Sequence, residues 1–156
     1  MADPETSGIV LPIPLDQVNR ILNREKSVFV KYTPRVPKKL TNFRLHKGMK
    51  VLFYVSESGR KIAGEAEVAS VEFMPPAEVL EKYRDKLVLS QLELSSYRDA
   101  RPGRGPEKPL LVLNLGKVRR YPNGITYYRN ITMTGELLRP NVYNELSRRV
   151  SALARA

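Results

Sequence analysis

Two runs in this chain combine cations with aromatic rings. Arg119-Arg120-Tyr121 and Tyr127-Tyr128-Arg129 flank Pro122-Asn123-Gly124. A guanidinium grips phosphate oxygens with a planar fork, and a phenol ring offers a face on which a base stacks. Basic residues interleaved with aromatics suit single-stranded or looped RNA, whose bases are unpaired and reachable. Strand alternation puts Tyr127 and Arg129 on one face and Tyr128 on the other, so at most half of these groups share a surface. The competing interpretation is a half-buried hairpin with tyrosines packed across the strands and arginines facing water. The second run is Lys31-Tyr32-Thr33 with Arg35, Lys38 and Lys39, where a strand opens into a loop stiffened by Pro34 and Pro37. Binding residues concentrate on such loops. Arg101, Arg104 and Lys108, in a Gly/Pro loop, give a weaker signal of the same kind.

Other chemistries find little support. The chain has no cysteine and one histidine, His46. A disulfide framework, a thiol nucleophile, an iron–sulfur cluster and a multi-histidine metal centre are therefore excluded. No nucleophile motif accompanies His46, which argues against a Ser-His-Asp triad. Gly103-Arg104-Gly105 is a fragment of a dinucleotide fingerprint without the preceding strand, and no phosphate loop of the Walker type occurs. Glu65 and Glu67 are spaced to act together as acid/base groups or metal ligands. Their simpler interpretation is the solvated face of an alternating strand. No cofactor and no metal are expected.

The 156 residues carry a net charge of +11, which points to a polyanionic partner. The charge is concentrated. Residues 28–64 hold nine bases against Glu57 and residues 100–135 hold seven against Glu107, so these blocks carry +8 and +6 and the rest is slightly acidic. A length of this order suits one domain with a real core, and 42% hydrophobic residues suit a globular one. The acidic, Pro-rich start lacks a basic segment leading into an apolar run, and no stretch approaches the ~20 apolar residues of a membrane helix. A cytoplasmic protein without a membrane partner is expected. The absence of cysteine fits a reducing, hot cytosol.

The elements that must position these groups can be read in order. Val18, Ile21 and Leu22 stripe a short helix over Asp16–Arg24, and Ser27–Tyr32 is a strand. Lys50–Val55 and Ile62–Phe73 form a hairpin around a turn at 57–60. In the second strand Ile62, Gly64, Ala66 and Val68 share a face, and the later shift to Val71 and Phe73 predicts a bulge near Ala69–Ser70. Pro75 and Pro76 start a helix with Val79, Leu80, Tyr83 and Leu87 inward, and Ser90 with Glu93 suggests a capped second one. Leu110–Leu115 is a strand running into Arg119–Tyr121, and Pro122-Asn123-Gly124 predicts a turn that returns Ile125–Met133 as a hairpin. A final helix of about 140–154 carries Val142, Leu146, Val150 and Leu153 on one face. Residues 1–8 read as a short tail. Hairpins with interspersed helices and no βαβ alternation indicate an α+β fold.

The stretch Gly48-Met49-Lys50-Val51-Leu52-Phe53-Tyr54-Val55, the turn Ser58-Gly59-Arg60 and the strand Ile62-Ala63-Gly64-Glu65-Ala66-Glu67-Val68 resemble the PUA-like superfamily, its ASCH and EVE branches in particular. The whole chain is similar to an archaeal family of uncharacterised proteins placed near it. The resemblance implies a strongly bent mixed β-barrel flanked by helices, with RNA or a modified base held in a cleft beside it. Lys31, Tyr32 and Thr33 then match the end of the first strand lining that cleft, Tyr54 and Ser56 the end of the second, and Arg60 the following turn. Some ASCH relatives are thought to be nucleases or amide hydrolases using Lys and Tyr, for which Lys31 with Tyr32 or Tyr54 is the analogous pair. The chain has no Trp, the usual wall of methyl-base cages in EVE- and YTH-like relatives.

The expected protein is therefore a single PUA-like domain that binds RNA, ribosomal or transfer RNA included, by phosphate neutralisation and tyrosine stacking. The two basic blocks should converge on one face. Two alternatives stand beside this reading: an ASCH-type hydrolase acting on nucleotides or RNA, and a ribosome-associated factor.

Overall fold

The computed structural model describes residues 8–32, 47–56, 59–88, 110–127 and 136–155, with no account of the side chains of Lys31, Tyr32, Glu136, Leu137 or residues 153–155. Its elements are β1 (Gly8–Pro12), α1 (Leu15–Leu22), β2 (Val28–Tyr32), β3 (Lys50–Val55), β4 (Lys61–Met74), α2 (Pro76–Tyr83), β5 (Leu110–Thr126), β6 (Glu136–Leu138) and α3 (Pro140–Arg155). The strands form one mixed sheet in the order β2-β5-β4-β3-β1-β6, with only the β1–β3 pair parallel. This is the expected α+β architecture of a bent mixed sheet with flanking helices.

Register shifts bend the sheet. Along β4 and β5 the pairing slips between Ile62 and Gly64, between Glu65 and Glu67, and between Val68 and Ser70. The last slip leaves Ala69 as the extra residue, which is the bulge the apolar phase predicted. Each extra residue twists and curves its strand. The slip at Ala63 also moves side chains between faces. Ile62 packs under α3, whereas Gly64, Ala66 and Val68 face α1, so the four do not share a face as expected.

One sheet face is covered by α1 through Val18, Ile21 and Leu22, which meet Leu11, Phe53, Ala66 and Leu113. The opposite face has two covered ends. Under α3, Leu146 and Val150 meet Val10, Leu52, Ile62 and Ile125; under α2, Val79 meets Val28, Val30, Met74 and Val112. Each such side chain contributes roughly 1.5–3 kcal/mol by leaving water.

Two departures from the sequence reading stand out. Gly8–Pro12, expected to be tail and helix approach, is a strand. Wedged between β3 and β6, it buries Ile9 and Leu11 on one face and Val10 on the other, so it shows no polar alternation. The second is at Pro122-Asn123-Gly124. Asn123 and Gly124 do have positive φ (59° and 68°), as a turn requires, yet no hairpin forms there. The excess residues loop out of a single 17-residue strand, and Ile125 and Thr126 resume pairing with Ile62 and Lys61 on the same neighbour, β4.

Candidate nucleic-acid interface

On the face shared by α2 and α3, the sheet between the two helices is polar. Flanking residues fix the orientation: Val68, Val71, Leu113, Leu115 and Val118 all pack toward α1, so Glu67, Ser70, Glu72, Asn114 and Arg119 project the other way. At one end of this strip Glu72 accepts hydrogen bonds from Lys82 (2.7 Å), Asn114 (3.2 Å) and the Tyr83 hydroxyl, tying α2 to β4. The Lys82 and Tyr83 bonds hold the Glu72 carboxyl below its usual range. Asn114 also donates to Ser70 at 2.7 Å.

At the other end lies Glu65, only 3% exposed. Its Oε1 accepts from the Tyr121 hydroxyl at 2.7 Å and from Tyr143 at 3.1 Å; its Oε2 accepts from Tyr143 at 2.9 Å and lies 3.4 Å from Lys50 Nζ. Glu65 is thus not on a solvated strand face. α3 covers it and delivers Tyr143 to it. Burial first, then the bond to Glu65, pushes the Tyr143 hydroxyl up to about 12, and the same causes raise Tyr121 further. The acceptor capacity of this carboxylate is used by the protein's own donors, so it acts as a brace between α3 and the sheet.

Lys50 connects the brace to the surface. Its Nζ is also 3.5 Å from Glu67, which Lys117 approaches to 3.6 Å from the other side. Pairing of β3 and β5 on either side of β4 therefore brings Lys50 of the first basic block beside Lys117 of the second. Arg119 sits over the Tyr121 ring, 5.9 Å from its centroid.

Alternation sends Arg120 to the α1 face, where it donates to Asn23 Oδ1 at 2.7 Å. The two arginines nevertheless reach a common rim. β2 pairs with β5 only over Leu110–Asn114, so beyond Leu115 this side of β5 is a sheet edge among the described residues. Lys117, Arg119 and Arg120 are all exposed along it, Lys117 at 78%. Arg24 and Lys26, just after α1, join the same rim beside Gly116 and Lys117.

The tyrosines have a different role from the one expected. Tyr54, Tyr121 and Tyr127 are buried under α3, Tyr54 and Tyr127 edge-to-face with centroids 6.3 Å apart, so no ring face is open to a base. With Tyr54 enclosed in this way, it is not presented to a substrate as a catalytic partner of Lys31 either. Ser56 is exposed at the end of β3, and Arg60 is exposed with φ 60° while its carbonyl accepts from Tyr127 N–H. Both lie at the far end of β4, away from the β5 rim. Lys31 and Tyr32 close β2 opposite Leu111 and Leu110. Thr33, Arg35, Lys38, Lys39, Tyr128 and Arg129 lie outside the described residues, as does the helix expected near Ser90.

The sequence pattern puts Glu65 in an acid/base pair or on a solvated face and Tyr83 in an apolar stripe, and it gives no role to Glu72 or Tyr143. A signal existed: α2 and α3 each carry a tyrosine within or beside the apolar stripe, and β4 carries a glutamate for each. Among the described residues no group of three His, Asp or Glu is placed to hold a metal ion, and no helix is long and apolar enough to cross a membrane.

Comparison with known proteins places this architecture. A family model described as Domain of unknown function (DUF365) matches residues 6–140. The chain belongs to this family. A relative, Uncharacterized protein MJECS03 of Methanocaldococcus jannaschii, is 32% identical over 108 residues, 65% of this chain and 100% of its own. Among solved structures, the ASCH protein of Zymomonas mobilis aligns with TM-score 0.74 at 12% identity over 91% of this chain and 94% of that one. The N-terminal domain of Staphylothermus marinus McrB aligns with TM-score 0.62 at 15% identity over 93% and 95%. The DUF365 chain thus has the PUA-like α+β fold of ASCH domains, as its motif implied, and its family reaches into the archaea.

Proposed function

We propose that this DUF365 protein binds RNA along the β5 edge, with Lys117, Arg119 and Arg120 on the phosphate backbone and the polar strip between α2 and α3 facing the bases. The observation that carries this is the rim itself, where exposed cations from β5 and from the end of α1 meet. The net charge of +11 supports a polyanion, and the extended edge suits a single strand better than a wide duplex groove. Ring stacking by Tyr54, Tyr121 and Tyr127 is no part of this mechanism. Arg35, Lys38 and Lys39 add to the basic charge of the sequence that supports a polyanion.

Salt titration of binding to a short single-stranded oligoribonucleotide tests the reading. Neutralising roughly six phosphates makes log K fall with log[salt] at a slope of about −4 to −5, and replacing Lys117 and Arg119 together by Gln flattens it by about 1.4. A salt-independent affinity, or an unchanged slope in the double variant, refutes it.

A further inference from the structure

α1 ends in a capping arrangement that ordinarily takes glycine. Arg24 N–H donates to Ile21 O (2.9 Å) and Glu25 N–H to Arg20 O (3.0 Å), the paired bonds of a Schellman motif. The residue that turns the chain there has φ 61° and is Arg24. A second left-handed residue occurs across from it. Where β5 slips against β4 between Glu65 and Glu67, the extra residue is Lys117, with φ 47°. Glycine occupies this region without penalty and arginine and lysine do not. Glycine is even present at the adjacent position, Gly116, which does not need it for conformation.

Both strained cations line one cavity of about 240 Å³, together with Lys26, Ser27 and Gly116 over an apolar floor at Leu115. A Cβ built on Gly116 meets nothing within 4 Å, so the main chain there is open to an approaching group. Complementing the helix dipole does not explain the arrangement. Arg20 already stands in the last turn of α1, and Lys117 comes from another element. Two of the four non-glycine residues with positive φ among the described residues thus converge on one cavity, and strain gathered at one place is a lead to function.

We propose that this cavity binds a phosphoryl group, its oxygens paired by Arg24, Lys26 and Lys117 and admitted by the bare backbone of Gly116. The Lys26 Nζ donates to Asp85 O at 2.8 Å and the Lys117 Nζ lies 3.6 Å from Glu67, so a phosphoryl group draws both ammonium groups from partners outside the cavity lining. The helix C-terminus repels anions, so the side chains must supply the attraction. For its source the proposal rests on the RNA reading: the group is an internal diester of the bound strand or a terminal monoester. The phosphoryl chemistry does not depend on that reading.

Residue-resolved amide NMR with inorganic phosphate as the probe tests it. Ser27, Gly116 and Lys117 amides should shift and saturate. Arg24→Gly should weaken phosphate by about tenfold or more while the melting temperature stays equal or rises, because glycine suits that backbone. Equal shifts in wild type and Arg24→Gly, or equal shifts with chloride at matched ionic strength, mean an adventitious ion only and overturn the proposal. Competition then identifies the source. Stronger displacement by a 5′-phosphorylated than by a 5′-hydroxyl oligoribonucleotide supports the monoester, and equal displacement supports the diester. Saturable phosphate binding that neither oligomer displaces keeps the phosphoryl site and overturns its RNA source.

Discussion

Replacing Glu65 by Gln preserves the shape of the buried brace while removing its charge and half its acceptor capacity. If the amide oxygen stays toward Tyr121, 2.7 Å away, the amide nitrogen confronts the Tyr143 hydroxyl and the Lys50 ammonium. Tyr143 can rotate its proton and accept; Lys50 cannot. One phenol bond becomes neutral, one reverses, and the ion contact is lost. A hydrogen bond to a charged group contributes about 1.5–3 kcal/mol, so with one phenol bond recovered Glu65→Gln should cost about 2–3 kcal/mol. For a chain of this size that lowers the melting temperature by about 4–12 °C. Urea unfolding followed by circular dichroism gives the magnitude. Amide exchange gives the location, because α3 should lose protection before α1 does. A double-mutant cycle with Tyr143→Phe should show coupling well above the ~0.5 kcal/mol within which independent sites add. A cost for Glu65→Gln below ~0.5 kcal/mol, or an additive cycle, refutes the brace.

Two further outcomes follow from neighbouring geometry. A Cβ on Gly64 would stand 2.6 Å from Arg119 O and 2.7 Å from Leu22 Cδ2, so Gly64→Ala must part β4 from β5 or displace α1; a loss of about 1–3 kcal/mol or more is expected on thermal unfolding, and wild-type stability would show that the approach is looser than described. Tyr143 titrates at about 12 when folded against an ordinary value of 10.0, so between these pH values the native state binds more protons than the unfolded one. That contribution is whole below pH 10 and is lost as pH rises toward 12; Tyr143→Phe should flatten the decline in stability over this window, and an unchanged decline would remove Tyr143 as its cause.

How much was legible in the sequence depended on whether an element's environment repeated along it. β3, α1, α2 and α3 each keep one environment from end to end, and their stripes predicted their limits within a few residues. β5 does not. It begins covered on both faces, becomes a basic edge at Gly116, and returns to the core at Tyr121 and Ile125. A Pro-Asn-Gly signal inside such a strand reads as a hairpin because local φ preferences do not record which neighbour the chain rejoins. The tyrosines failed for a related reason. Interleaved Arg and Tyr along a strand suit a stacking surface and a covered sheet equally, and only α3, distant in sequence, decides between them.

The same helix explains why the cations gather where they do. Glu65 and Glu67 more than offset Lys50 within the strip, so the floor between α2 and α3 offers an anion no attraction of its own. The attraction for an anion must therefore come from the rim. There alternation would separate Arg119 from Arg120, sending one to each face, if β5 had a partner on that side. Because β2 ends its pairing at Asn114, the two faces meet at an edge that is open among the described residues, and the end of α1 adds Arg24 and Lys26 to it. An edge this polar also resists pairing with another strand. That protection alone would be served by any exposed lysines, in relaxed backbone, anywhere along β5. It does not require left-handed Arg24 and Lys117 to share one cavity, and that convergence is what ties the edge to a bound phosphate rather than to solubility.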